Sequence, residues 1–161
     1  MEKKDLKPAE VFKYFEEICQ VPRPSKKEEK MIAYLKEFGI RHNLETLVDE
    51  AGNVLIKKKA TPGKEQLKTV ILQSHIDMVC EKNNDVQHDF QTDPIVTEID
   101  GEWLKAKGTT LGADNGIGVA TELAILASNE IEHGPLECLF TVDEETGLTG
   151  AFALKEGFMS G

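Results

Sequence analysis

The sequence predicts an α/β fold with a mixed central sheet flanked by helices. Amphipathic segments with apolar residues at helical spacing alternate with short segments rich in β-branched residues. Hydrophobic residues make up 40% and charged residues 30% of the chain, which is typical of a globular domain with a real core. No internal repeat or linker-like stretch divides the 161 residues, so we expect one α/β unit.

The composition excludes several classes of function. A net charge of −10 argues against nucleic-acid binding, which needs a basic surface, and suits metal cations or a substrate ammonium group. No apolar run reaches the ~18–20 residues of a membrane span, and the N-terminus lacks the apolar core of a signal peptide. The three cysteines are far apart, which indicates reduced thiols, with Cys138 in the core. We therefore expect a cytoplasmic protein that binds neither nucleic acid nor membranes.

The N-terminal part predicts two amphipathic helices. The first covers residues 5–20, with Pro8 in its first turn, where a missing N–H costs nothing. The second follows a proline-containing loop. Ser25 is its expected cap, Glu28 completes a capping box, and Gly39 is expected to end the helix. Arg23 and Ser25 of the loop are interpreted as structural residues rather than ligand contacts.

The rest of the chain predicts two hairpins, two buried strands and two further helices. The segment 69–73, with Val70-Ile71-Leu72 at its centre, predicts a central strand buried on both faces. Glycines and Asp-Gly pairs mark the turns. In order, the elements are hairpin strands at 44–48 and 54–58, the strand at 69–73, hairpin strands at 95–99 and 103–106, a helix ending near Asn129, a strand at 136–142 and a helix at 148–156.

Polar side chains follow both apolar strands, and in an open α/β sheet ligands bind beyond the strand carboxyl ends. His75 and Asp77 are two residues apart in an extended segment, so both side chains point the same way and Asp77 can orient the imidazole. Glu144 and Glu145 are adjacent, so they diverge: one can bind metal while the other acts as a base. Alone, either pair is more often structural or solvated, and Asp143 is expected to be a turn or solvent residue.

Asp114 lies in segment 108–118, which holds four glycines and leads into a helical pattern. Such a density of glycine indicates a sharply bent backbone or a close approach. Asp114 can serve simply as a helix cap, but a cap does not need four glycines. A carboxylate can instead bridge two cations. With His75, Asp114 and Glu145 as ligands, the nitrogen and oxygen donor set fits two divalent ions, Zn²⁺ first and also Mn²⁺ or Co²⁺.

Taken together, segments 74–83, 108–118 and 141–151 strongly resemble the two-zinc exopeptidases. Within them the chain looks most like the cytosolic aminoacyl-histidine dipeptidases, which cleave Xaa-His dipeptides. The resemblance implies a zinc-exopeptidase (phosphorylase/hydrolase-like) catalytic domain and a small peptide as substrate. A related metal-dependent aminopeptidase, an amide deacylase and a non-catalytic folded fragment are the alternatives.

The resemblance also implies a role for each polar residue. His75 binds one metal and Asp77 orients it, Asp114 bridges both metals, and Glu145 binds the second. Glu144 is the general base that takes a proton from the attacking water and delivers it to the leaving amine. The family has a cis peptide bond after the bridging aspartate, here Asp114-Asn115, and the neighbouring glycines are expected to make room for it.

The chain departs from the family pattern because two further ligands, a downstream aspartate and a C-terminal histidine, have no match in residues 1–161. The family's lid domain, which also serves dimerisation, is not represented either. Residues 1–161 are therefore expected to be the N-terminal part of a truncated catalytic domain, inactive alone, whose parent is a homodimer. His42, His88 and His133 are interpreted as surface residues rather than substitute ligands.

Overall fold

A computed structural model of the protein describes residues 2–161. A short 3₁₀ turn spans Lys3–Asp5, and the helices are α1 (Ala9–Cys19), α2 (Glu29–Arg41), α3 (Ala113–Ala127) and α4 (Thr149–Phe152). The strands are β1 (Glu45–Val48), β2 (Val54–Lys58), β3 (Val70–His75), β4 (Thr97–Asp100), β5 (Trp103–Ala106) and β6 (Leu136–Thr141). Among these residues, no helix has the length and apolar character needed to cross a lipid bilayer.

The main sheet has four strands in the order β1-β2-β6-β3. β3 and β6 are parallel, whereas β1 with β2 and β2 with β6 are antiparallel, so the sheet is mixed as the sequence predicts. β4 and β5 form a separate two-stranded sheet. Both predicted hairpins are confirmed, with their strands starting or ending within two residues of the expected positions.

The order of the strands corrects one expectation. β6 is the strand that is buried along its whole length. β3, expected to be central, lies at the edge of the sheet formed by residues 2–161, and Val70 at its start is 49% exposed. Both strands are rich in apolar residues, so composition alone cannot tell which of them is central.

The hydrophobic core lies between the sheet and helices α1, α2 and α3. Phe15 and Ile18 of α1 meet Val119 and Leu123 of α3 in a single cluster of buried residues. Cys138 of β6 belongs to the same cluster and is fully buried, as expected for a packing residue. Burial raises the pKa of its thiol, so it stays protonated.

Several element boundaries differ from the sequence prediction. α1 begins at Ala9, because the preceding residues form the 3₁₀ turn. α2 runs two residues beyond Gly39, and the last helix is only four residues long instead of nine. The predicted capping box at Ser25 is wrong: α2 begins at Glu29, and the Ser25 hydroxyl bonds to Asp77 instead.

Candidate metal centre

The polar segments meet at one edge of the sheet because β3 and β6 are parallel. His75 is the last residue of β3, and it pairs with Thr141 at the end of β6. Glu144 and Glu145 therefore follow at the same edge. Asp114 reaches this edge from the turn that begins α3, a helix packed against β3.

His75, Asp114 and Glu145 come close enough to share metal ions. Each offers one ligand atom, and these three atoms all lie within 4.8 Å of one another. The His75 Nε2 atom is 3.0 Å from Asp114 Oδ1 and 3.7 Å from Glu144 Oε2. The imidazole is buried, whereas the Asp114 side chain is 87% exposed, so the cluster opens to solvent on the aspartate side.

Asp77 does more than orient the imidazole. Its carboxylate is fully buried, and Oδ1 lies 3.3 Å from His75 Nδ1. The same oxygen accepts a hydrogen bond from the Glu144 N–H at 3.0 Å, and Oδ2 accepts bonds from the Glu145 N–H at 3.2 Å and the Ser25 hydroxyl at 2.7 Å. One side chain thus joins β3 to the backbone of both glutamates, a connection that residue spacing does not show.

The electrostatics of the cluster favour a bound cation. Burial opposes a charge on Asp77, but the bonds from His75, Glu144 and Ser25 outweigh it and lower the pKa to about 2. Burial likewise disfavours an imidazolium at His75, yet the bonds to Asp77 and Asp114 outweigh it and raise that pKa to about 9. His75 therefore carries a proton that a metal ion at Nε2 would replace.

The pKa of Glu145, unlike that of Asp77, is raised. Burial raises the pKa of its carboxyl; the charge of His75 opposes that rise, and the negative charges of Asp114 and Glu144 add to it. Three acids that repel one another around a single imidazole are stabilised by any divalent cation placed among them.

The turn at Asp114 is irregular. The Asp114-Asn115 peptide bond is cis, as the resemblance implies. Backbone angles at both residues are non-helical, and regular helix starts at Gly116. The helix-cap interpretation of Asp114 is not supported: among the described residues, its carboxylate bonds to His75 and not to a backbone N–H of the helix that starts at Gly116.

A second acidic cluster lies behind the first and corrects the expectation for Asp143. Asp143 is not a solvent residue: it is buried, has φ +49°, and accepts a bond from the Thr146 hydroxyl. Oxygen atoms of Glu28, Asp77 and Asp143 lie within 4.8 Å of one another. Glu28 Oε1 accepts bonds from the Lys26 and Asp143 backbone N–H groups, so it holds the turn that carries the two glutamates.

The other histidines lie apart from both clusters. His42, His88 and His133 are half-buried rather than fully exposed, which corrects part of the expectation. The His42 ring packs on Phe38 and the His88 ring on Phe90. Within residues 2–161, none of the three joins a group of potential metal ligands.

Several known proteins are similar to this chain in both sequence and fold. The chain is 49% identical over 154 residues to the cytosol non-specific dipeptidase of Escherichia coli, covering 96% of this chain and 32% of that protein. The crystal structure of an aminoacylhistidine dipeptidase from Vibrio alginolyticus superposes with a TM-score of 0.97 and 54% identity, covering 100% of this chain and 33% of that one. A tripeptidase structure from Staphylococcus aureus gives a TM-score of 0.77 at 26% identity, over 94% and 40% of the two chains.

The chain thus spans about a third of the length of the dipeptidases it matches. The sequence profile of Peptidase family M20/M25/M40 matches residues 71–161, a stretch that runs from β3 to residue 161. It contains the five predicted site residues His75, Asp77, Asp114, Glu144 and Glu145. That match covers more than half of the chain and agrees with the fold similarity, so the chain belongs to peptidase family M20/M25/M40.

Proposed function

We propose that this chain is the N-terminal part of the catalytic domain of a cytoplasmic, metal-dependent dipeptidase that hydrolyses Xaa-His and related dipeptides. The observation that carries the proposal is the approach of His75, Asp114 and Glu145 to within 4.8 Å at one sheet edge. The two dipeptidases to which the chain is about half identical support the substrate class.

The donor set fits two divalent ions, with Zn²⁺ first and Mn²⁺ or Co²⁺ as alternatives. The cluster offers one imidazole nitrogen and carboxylate oxygens without a thiolate, a combination that these ions accept. Asp114, exposed and with two oxygens, is the proposed bridge between the ions. When bound, such ions would lower the pKa of water towards neutrality and polarise the scissile carbonyl.

Glu144 and Asp77 are proposed to act beside the metal ligands, each in a different role. Glu144 is the proposed general base: its carboxylate is about one-third exposed and lies 3.7 Å from His75 Nε2, beside the proposed ligands. It takes a proton from the attacking water and returns it to the leaving amine. Asp77 keeps His75 in one tautomer and holds the Glu144 N–H, so the base and the ligand share one anchor.

Two further parts of the proposal lie outside residues 1–161. We propose that two more ligands and a lid domain belong to the intact protein, as in the two-zinc exopeptidases, and that the lid makes it a homodimer. The dipeptidase relatives are about three times as long as this chain, which supports the further ligands and the additional domain.

Replacing Glu144 tests the chemistry. In a polypeptide of the relatives' length that carries this chain, Glu144→Ala should lower kcat for an Xaa-His dipeptide by about 10²–10⁴, the usual effect of losing a general base. Calorimetric titration of Zn²⁺ should show little change in metal affinity, because Glu144 is not a proposed ligand. Exposed Glu102 provides the matched control, Glu102→Ala. Full turnover by Glu144→Ala would exclude the mechanism.

A related peptidase activity is the second candidate, favoured by the similarity to the staphylococcal tripeptidase. The assay compares an Xaa-His dipeptide, a tripeptide and an N-acyl amino acid at equal concentration. Preference for the dipeptide supports the first proposal, and preference for the tripeptide or the acylated substrate replaces it with an aminopeptidase or a deacylase.

A further inference from the structure

Arg23 connects the two segments that carry His75 and Asp114. Its side chain is buried, with 2% of the residue exposed. Nη1 donates to the carbonyl oxygens of Ile76 and Asp77 at 3.0 and 3.2 Å, and Nη2 donates to the carbonyl oxygen of Gly112 at 2.6 Å. The guanidinium therefore bonds on one side to the backbone next to His75 and on the other to the turn before Asp114.

The backbone of Arg23 adds to this connection. Its carbonyl oxygen accepts a bond from the Met78 N–H at 3.2 Å, and Pro24 forms a parallel bridge with Met78. The loop before α2 thus lies beside the continuation of β3, close to where Ser25 bonds to Asp77. This loop lies upstream of the stretch that the family profile matches.

The position of the Arg23 guanidinium leaves no room for a side chain at two glycines near Asp114. A Cβ at Gly112 would lie 2.6 Å from Arg23 Nη2, and a Cβ at Gly116 would lie 2.7 Å from the same atom. Gly112 also has φ +69°, which glycine favours, whereas the φ angle of Gly116 lies outside this left-handed range. At Gly116, therefore, the absence of a side chain serves to make room for Arg23 and its neighbour Phe15.

We propose that Arg23 is a positioning residue that sets the separation between His75 and Asp114, and with it the gap that a metal ion must fill. The inference rests on the proposed function of the cluster. A guanidinium is a rigid planar fork with donors on several sides, so it can bond to both segments at fixed geometry. A lysine ammonium is a point charge on a flexible stem and cannot reproduce that arrangement.

Nuclear magnetic resonance on the 161-residue chain tests the proposal without metal. Arg23→Lys should shift the ¹⁵N resonance of His75 Nε2, the atom that faces Asp114. It should also lower the hydrogen-exchange protection of the Gly116 N–H, which bonds to Gly112, by about tenfold or more. Amides in the β2–β6 pairing, such as Leu139, should keep their protection to within about twofold.

Two comparison variants separate positioning from simple destabilisation. Leu35→Ala opens a cavity in the core at a fully buried residue of α2, which packs against β1 and β2, and should lower protection throughout the fold without moving the His75 resonance. Gly116→Ala places a methyl group against Nη2 of the guanidinium and should reproduce the local pattern of Arg23→Lys. If both Arg23→Lys and Gly116→Ala behave like Leu35→Ala, or change nothing, the proposal is overturned.

A Co²⁺ titration then links positioning to the proposed function. If wild-type chain binds Co²⁺, Arg23→Lys should weaken binding about tenfold and change the visible spectrum of the bound ion, whereas Leu35→Ala should preserve that spectrum. Unchanged affinity and spectrum in Arg23→Lys would overturn the proposal. If wild-type chain binds no Co²⁺, the proposed metal site loses support, and the His75 resonance and amide protection still decide whether Arg23 sets the geometry.

Discussion

Asp77 shows how one buried carboxylate can organise a whole site. It receives four hydrogen bonds: one from an imidazole, one from a hydroxyl and two from backbone N–H groups of adjacent residues. The number of donors outweighs the cost of burial, and the pKa of about 2 keeps the group charged throughout the neutral range. His75 and the two glutamates are consequently held by a single fixed charge.

Asp77→Asn should therefore weaken metal binding although Asp77 is not a proposed ligand. A neutral amide stabilises the His75 orientation less, and its NH₂ group cannot accept the hydrogen bonds that the carboxylate oxygen now receives. We expect Zn²⁺ affinity to fall about 10–100-fold in the polypeptide of the relatives' length, measured by calorimetry. Asp85→Asn, a change at an exposed loop residue, is the control. Equal affinity in wild type and Asp77→Asn would contradict the shared anchor.

Glu122 is a buried acid whose carboxyl group favours the neutral form, and it belongs to neither group of potential metal ligands. It lies on α3, is 4% exposed, and its Oε2 atom has no hydrogen-bond partner among the described residues. Burial raises the pKa of this carboxyl from an ordinary 4.5 to about 8. At neutral pH the folded protein keeps the group protonated while the unfolded chain loses the proton, so stability falls as pH rises from 4.5 through about 8.

Glu122→Gln should remove this part of the pH dependence. The free energy of unfolding of wild type, relative to the variant, should fall by about 1 kcal/mol for each pH unit between pH 5 and 7. Urea titrations across that range measure the difference, and taking the difference cancels contributions from other groups such as His75. Glu102→Gln, at an exposed residue, should show no such slope. Parallel curves for wild type and Glu122→Gln would refute the assignment.

At the level of elements, sequence periodicity predicts what each segment becomes but not where it lies. Helical and alternating patterns locate α1, α2, both hairpins and β6 to within a few residues. They miss the edge position of β3, because the order of strands depends on pairing between distant segments. They also assign Ser25 to a local cap, whereas its partner Asp77 lies 52 positions away. Residue types near strand ends indicate the candidate metal centre. The contacts by which Arg23, Glu28 and Asp143 support the segments around it span long stretches of sequence, so they could not be predicted.

Asn53 is another residue whose importance comes from distant contacts. It is fully buried in the β1–β2 turn. Its Oδ1 accepts a bond from the Val142 N–H, and its Nδ2 donates to the Gly150 carbonyl, on either side of the turn that carries Glu144 and Glu145. The hairpin thereby fixes both ends of the loop at residues 142–150 to the sheet.

Asn53→Ala should destabilise the fold by about 1–3 kcal/mol, because it leaves the buried Val142 N–H without a partner and removes one of the two donors to the Gly150 carbonyl, which keeps the bond from the Ala153 N–H. Urea unfolding measures the effect, and Asn84→Ala, at an exposed loop residue, should change stability by less than about 0.5 kcal/mol. The amides of residues 142–150 should lose hydrogen-exchange protection before those of α1. Equal stability of the two variants would show that the hairpin does not hold the loop.

On the scale of the whole molecule, the chain provides one side of the proposed metal centre. Its 161 residues fold around their own core and bring three potential metal ligands and a base to one sheet edge. One imidazole and two carboxylates leave a pair of divalent ions with fewer protein ligands than catalytic zinc sites usually have. About two-thirds of each dipeptidase relative lies outside the aligned stretch, and further ligands can come from there.

The 161-residue chain alone should therefore bind Zn²⁺ or Mn²⁺ weakly and hydrolyse no Xaa-His dipeptide above the rate of the metal ion itself. In a polypeptide of the relatives' length, the same residues should support turnover that a chelator abolishes and added metal restores. Amino-acid release, measured at equal concentrations of both proteins, makes the comparison. Because traces of a host peptidase can imitate activity, Glu144→Ala chain purified in parallel is the control. Turnover by the chain alone that disappears in Glu144→Ala would show that His75, Asp114 and Glu145 suffice to hold a working metal centre.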